Sequence, residues 1–281
     1  PVKPSELENY LPSRNVIVPV DKDAVLKSGM LEEKDTGKIV DNIQFNLGSR
    51  LMKGSIVMLD IIASNAANGW ERPIYFTTTT GDDTYAGLES YFRHEGLTYR
   101  LVPMKHNWDQ YRGLVDKELI YKRLMKDFTW GNMDKGTMFL DHKATLVPRN
   151  LRILFVQVAQ QYSSEGDTAK AKELLLESLR VIPESVLPMD VYVRSYYIEM
   201  LNTSGDLETA KMLLDRSVNQ ITEEMAYYRK LATNKDRKFK KIGKQKLEST
   251  ARDLQQNIGI ATRMSDSTAV NTLSNLQSTF S

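Results

Sequence analysis

Gly166-Asp167, followed by Ala171-Lys172 and Leu174-Leu175, recurs 39 residues later as Gly205-Asp206, followed by Ala210-Lys211 and Leu213-Leu214. Each part of that pattern has a task in a pair of antiparallel helices. Glycine ends the first helix at positive φ without a Cβ penalty, aspartate caps the second helix, and the small alanine lets the two approach closely. Residues 148–281 read as almost entirely helical, whereas residues 1–147 alternate short strands with helices. The chain is therefore expected to be an α/β N-terminal domain, 1–147, followed by an all-α helical-hairpin domain, 148–281. The repeat-turn residues are Gly166, Asp167, Gly205 and Asp206.

With Tyr162 before the first turn and Pro183 after it, the repeat resembles the tetratricopeptide pattern of two antiparallel helices per unit. Its spacing exceeds the usual period of about 34 residues. The excess is assigned to the connector 182–188, IPESVLP. About three repeats are normally needed for a stable solenoid, so further elements at 222–231 and 246–263 are expected to cover the exposed surface. Met225, Tyr228 and Leu231 supply part of their apolar stripe. The tail 265–281, rich in Ser, Thr and Asn, is expected to fray.

In the first half, Val16-Ile17-Val18 is strand-like, Asp21 caps a short helix reaching Ser28, and 39–47 is extended. A stronger helix spans 55–65. Ile56, Leu59 and Ile62 lie on one of its faces and Val57, Met58 and Ile61 widen the stripe, as expected for burial against a sheet. The β-branched and aromatic run 73–80 reads as a strand ending at Gly81-Asp82-Asp83. A short helix carrying Tyr85, Leu88, Glu89 and Phe92 is expected next, then a strand over 97–102.

The order WERPIYF, then GLESYFRHEGLTYRLVP, resembles the C-terminal, non-membrane region of a bacterial family of multi-pass membrane proteins of unknown function related to protein O-mannosyltransferases. Further matches are Leu11-Pro12-Ser13-Arg14, Val18-Pro19-Val20-Asp21-Lys22, Met58-Leu59-Asp60-Ile61-Ile62-Ala63 and Phe128-Thr129-Trp130-Gly131-Asn132-Met133. Together they cover roughly the first half of the chain. The resemblance implies a soluble appendage of a polytopic glycosyltransferase-like protein, on the periplasmic side of the bacterial inner membrane and tethered by upstream transmembrane helices of the same polypeptide. It does not imply that the appendage is itself catalytic, and a non-catalytic accessory region is expected. The resemblance also implies partners: the transmembrane part itself, and an acceptor protein or glycan.

Thirty-eight basic and 36 acidic residues give a formal charge of +2, which provides no global field to draw in nucleic acid. No apolar run approaches the ~20 residues of a membrane span. The absence of cysteine excludes disulfides and thiolate metal sites but leaves the compartment open. Beginning at Pro1 is read as the result of a natural or engineered cut. Charge is concentrated over 229–246, where nine Lys or Arg surround Asp236. Lys235, Arg237, Lys238, Lys240, Lys241 and Lys244 are the expected contacts to an anionic membrane surface or an acidic partner. Aromatic interleaving of the kind a single-strand nucleic-acid binder needs is nearly absent there.

No catalytic constellation stands out. His94, His106 and His142 match no short metal-ligand spacing, and there is neither a nucleophile elbow, a phosphate loop nor a dinucleotide fingerprint. No metal and no cofactor is expected. The acids Asp82, Asp83, Glu89 and Glu95 near His94 define the alternative, an independent carbohydrate-active enzyme using an acid/base pair. Flat rings stack on pyranose faces, and Trp70 and Tyr75 are the expected glycan contacts if one side of the strand is open.

Overall fold

A computed structural model describes residues 13–48, 52–80, 84–107 and 114–278. The chain packs as two compact units, Pro1–Arg123 and Leu124–Ser281. The first holds a small mixed-sheet region and the second is helical.

In the first unit β1 (Asn15–Pro19) pairs antiparallel with β2 (Asn42–Asn46), placing Ile17 opposite Gln44. Between them lies α1 (Lys22–Lys27), whose N-cap Asp21 accepts a hydrogen bond from the Ala24 amide at 3.0 Å. Alternation along β2 buries Ile43 and Phe45 and exposes Asn42, Gln44 and Asn46. After α2 (Lys53–Ala67) comes a second sheet of β3 (Tyr75–Thr77), β4 (Phe92–His94), β5 (Thr98–Leu101) and β6 (Leu114–Val115), in the order β3-β5-β4-β6. β4 and β6 run parallel and the other pairs antiparallel. The core lies where one face of each sheet meets the intervening segments, around Val25, Ile43, Ile62, Leu88, Phe92 and Leu101. Tyr91 joins the two sheets: its hydroxyl accepts from the Gln44 amide at 3.0 Å and lies 3.3 Å from the Gln44 carbonyl.

Two expectations for this unit are corrected. The segment from Tyr85 to Phe92 is not a helix but a single 3-10 turn, Glu89–Tyr91, leading into β4. Gly87 sits at φ 86°, and a Cβ there would meet the Asn46 carbonyl oxygen at 2.8 Å, so close backbone approach fixes a turn where the apolar spacing suggested a helix. On α2, Ile62 is buried, but Ile56, Val57 and Ile61 are 54%, 58% and 50% exposed. The β1–β2 ribbon packs only a narrow part of the stripe, and the rest of the apolar face remains open to solvent.

The last helix of the first unit, α3 (Lys117–Lys122), is capped by Asp116 and passes into a π-helical turn, Arg123–Asp127. In the second unit, residues 128–145 are irregular except for a 3-10 turn, Met133–Lys135. They belong with the helices by packing. Trp130 lies 5.7 Å from Phe155 and the Ser185 hydroxyl donates to the Gly136 carbonyl at 3.3 Å. Compactness therefore divides the chain at Arg123, and the run of long helices starts with α4 (Leu146–Ser164).

α5 (Thr168–Val181), α6 (Val191–Thr203), α7 (Leu207–Ala232), α8 (Arg237–Arg263) and α9 (Ser267–Ser278) follow. Residues 222–231 and 246–263 thus lie inside the two longest helices, and the expected stripe residue Met225 is buried. Gly166 and Gly205 occupy the turns between α4 and α5 and between α6 and α7, at φ 90° and 82°. In both turns the amide of the next aspartate bonds a carbonyl five residues back, Tyr162 or Leu201, and its carboxylate caps the following helix at Lys170 or Thr209. The same arrangement closes α8 and opens α9, with Ser265 at φ 57° in the glycine position. There the Asp266 amide bonds Ala261 at 2.9 Å and its carboxylate accepts from Ala269 at 3.1 Å. The expectation of a fraying tail is corrected by this cap. Ala269 and Leu273 are buried on one face of α9; residues 279–281 lie outside the described residues.

Candidate functional site

Across the second sheet, Tyr75 pairs with Arg100 and Arg100 pairs with Arg93, so three polar side chains stand in one row. Alternation puts Phe76, Phe92, His94, Tyr99 and Leu101 on the opposite, core face. Glu95, two residues beyond Arg93, returns to the Arg face and is 1% exposed at its side chain. Its Oε1 accepts from Nε and a terminal nitrogen of Arg93 at 2.9 and 2.6 Å, and its Oε2 accepts from Arg123 at 3.2 Å. Arg123 also donates to the Glu95 backbone carbonyl. A terminal nitrogen of Arg100 stands 3.9 Å from Oε1, an ion-pair distance too long for a hydrogen bond. The Tyr75 hydroxyl is 3.5 Å from Oε2, and the Arg100 guanidinium lies 5.9 Å from the Tyr75 ring centroid.

Of the expected glycan contacts, Tyr75 is 45% exposed beside this cluster, whereas Trp70 is 1% exposed in the core. That expectation is corrected for Trp70: at φ 58° after α2, its indole fills the core and offers no face to a ligand. His94 and Glu95 do not face each other. The His94 Nε2 bonds the Gly96 carbonyl at 3.0 Å, its ring packs 4.8 Å from Tyr99, and Glu95 points to the other side of the sheet. Burial pushes His94 down to about 4, only partly offset by the bond to Gly96, so the imidazole is neutral near pH 7. Asp82 and Asp83 lie outside the described residues, and His142 is exposed. Among the described residues no group of His, Asp and Glu is placed to hold a metal ion.

The basic segment occupies the turn after α7 and the first turns of α8. Lys235, Arg237, Lys238, Lys240, Lys241 and Lys244 are all exposed, and none has an ion-pair partner among the described residues. Asp236 caps the helix through the Lys238 amide at 2.7 Å. Arg237, Lys238 and Lys240 lie in the first turn of the helix, the end where the helix dipole disfavours positive charge. Phe239 is 49% exposed among them. Gly243 is buried where α8 crosses the end of α7; a Cβ there would stand 2.4 Å from the Ala232 amide nitrogen.

An apolar groove of about 450 Å³ runs between β1 and α2, lined by Val16, Val18, Leu59, Ile62, Ala63 and Ala66.

Residues 2–119 match the family described as TMEM260-associated domain 2. No curated protein and no solved structure matches the chain. The match takes in nearly all of the first unit, including Tyr75, Arg93, Glu95 and Arg100, and stops short of Arg123. Among the resembling segments, Phe128-Thr129-Trp130-Gly131-Asn132-Met133 lies beyond it. Among the described residues no helix is long and apolar enough to cross a membrane.

The six cations and the repeat turns were legible as runs and spacings. The Arg cluster was not, because Arg93, Glu95, Arg100 and Arg123 meet only through strand register and the π-turn after α3. Alternating Arg and Glu in Arg93-His94-Glu95 was the available signal.

Proposed function

We propose that this chain is a non-catalytic accessory region of a membrane-embedded, O-mannosyltransferase-like glycosyltransferase. The match of residues 2–119 to a domain named for its association with TMEM260, an O-mannosyltransferase-like protein, carries the reading. The exposed Ile56, Val57 and Ile61 side chains and, separately, the apolar groove between β1 and α2 support docking of the first unit on the transmembrane part of the same polypeptide. The helical unit is a tetratricopeptide-like surface for acceptor protein or another partner. Three turns of common geometry, at Gly166, Gly205 and Ser265, support that assignment. The region works outside the bilayer, on the periplasmic face in a bacterium.

Incubating the purified chain with lipid-linked and nucleotide-linked sugars tests the division of labour. Neither transfer nor hydrolysis is expected. Turnover abolished by Glu89→Gln or His94→Ala would overturn the accessory reading in favour of an independent carbohydrate-active enzyme.

The segment from Lys235 to Lys244 presents six exposed cations without ion-pair partners among the described residues, which favours contact with an anionic membrane surface. Co-sedimentation should be stronger with anionic than with neutral vesicles and should fall as salt shortens the screening length below ~8 Å. Equal or absent sedimentation under all conditions refutes it.

A further inference from the structure

The Arg face of the second sheet carries more positive charge than its own carboxylate neutralises. Arg93 and Arg100 are cross-strand partners, an arrangement that like charges make unfavourable without compensation. Among the described residues Glu95 is the one carboxylate that ion-pairs with Arg93, Arg100 and Arg123, so the cluster keeps a charge of about +2. Both Glu95 oxygens are committed, Oε1 to the two nitrogens of Arg93 and Oε2 to Arg123. The Arg100 side chain makes no hydrogen bond to any described group. Its Nε is buried and unpartnered, yet the side chain retains 17% exposure, so its remaining donors meet the surface. An unbonded guanidinium held in place on a sheet is a costly arrangement for a fold alone.

We propose that this cluster is a binding site for a phosphate monoester carried on a sugar or similar ring. Arg100 presents its terminal nitrogens to the phosphate, and Arg93 adds the terminal nitrogen that Glu95 does not use. The planar fork suits an oxyanion with several acceptor oxygens, and a doubly charged phosphate matches the excess that a single carboxylate would leave half-compensated. Tyr75, exposed beside Arg100, gives the organic ring a flat face to lie on. The site adds a small-molecule ligand to the accessory role and does not depend on it. A polyanionic strand is disfavoured, since the row meets Leu114 opposite Arg93 and no basic track continues along β6 among the described residues.

Calorimetric titration of the full chain with glucose 6-phosphate, glucose and inorganic phosphate tests the site. Glucose 6-phosphate should bind, tighten as pH rises through the phosphate's second pKa of about 6, and exceed inorganic phosphate in affinity. Glucose should not bind. Arg100→Gln should weaken glucose 6-phosphate at least tenfold, and Tyr75→Leu should bring its affinity down to that of inorganic phosphate. Because the Arg100 side chain donates no hydrogen bond inside the unit and its one ion pair, to Glu95, is long, Arg100→Gln should melt close to the parent chain. Arg100→Lys, which keeps the charge but loses the fork, serves as a second variant should the first unfold. Absence of binding to the parent chain, or unchanged affinity in a folded Arg100 variant, overturns the proposal.

Discussion

The three turns at Gly166, Gly205 and Ser265 isolate what one backbone conformation costs. A Cβ added at Gly166 or Gly205 would meet no atom within 4 Å, so substitution there changes backbone strain and nothing else. Alanine at either position should destabilise the helical unit by about 1 kcal/mol, the cost of holding an L-residue in the left-handed region. Ser265 already bears that cost at φ 57°. Ser265→Gly should therefore stabilise by a similar amount, to within the extra unfolded-state entropy that glycine brings. Urea unfolding followed by far-ultraviolet circular dichroism measures both signs. A destabilising Ser265→Gly would show that its hydroxyl does more than the backbone geometry indicates.

Between α5 and α6, the connector that lengthens the repeat is held by two buried arginines. Arg152 donates to the carbonyls of Ile182, Leu187 and Pro188 at 2.7, 2.8 and 3.2 Å. Arg194 reaches Glu184 at 2.5 Å, the Met189 carbonyl at 2.9 Å and Gln220 at 2.9 Å. Desolvation alone would raise the Glu184 carboxyl, but hydrogen bonds and charge from Arg194 and Arg216 outweigh it and hold the group below the usual range. The connector is thus a built element. Removing one donor strands several carbonyls in the core. Arg152→Met, which keeps the stem, should cost roughly 3 kcal/mol and open residues 182–190 to protease, while exposed Arg149→Met should change neither. Equal stability of the two variants would contradict this account. The sequence marked the connector by its two prolines, yet nothing in the spacing of Arg152 and Arg194 announced what they clamp.

For the whole molecule, two units with separate cores should answer acid differently. His94 is buried in the first unit with a pKa lowered to about 4 from 6.5. Its neutral form is favoured by folding, so its contribution is complete above about pH 6.5 and is lost as pH falls toward 4. The loss amounts to about 3 kcal/mol if the unfolded chain titrates normally. Urea midpoints reported by the buried Trp70 should fall across that interval, and His94→Gln should remove most of the slope. An unchanged slope in the variant would place the acid sensitivity elsewhere.

Local chemistry, read from the residues alone, located the two helix-to-helix turns at Gly166-Asp167 and Gly205-Asp206: such turns and caps act within a few residues and need no distant partner. It also located the strand at Tyr75, the strand at Thr98 and the exposed basic run after Asp236, because alternation and charge density are properties of short segments. Trp70 in the core, the bare apolar face of α2, the turn at Gly87 and the meeting of Arg93, Glu95, Arg100 and Arg123 were decided by tertiary structure. Each depends on what lies opposite in space, namely the Asn46 backbone against Gly87, a ribbon too narrow to cover α2, and a register that sets Arg93 beside Arg100. Side-chain type states what a residue can bond, but burial and cross-strand register determine which bonds it makes.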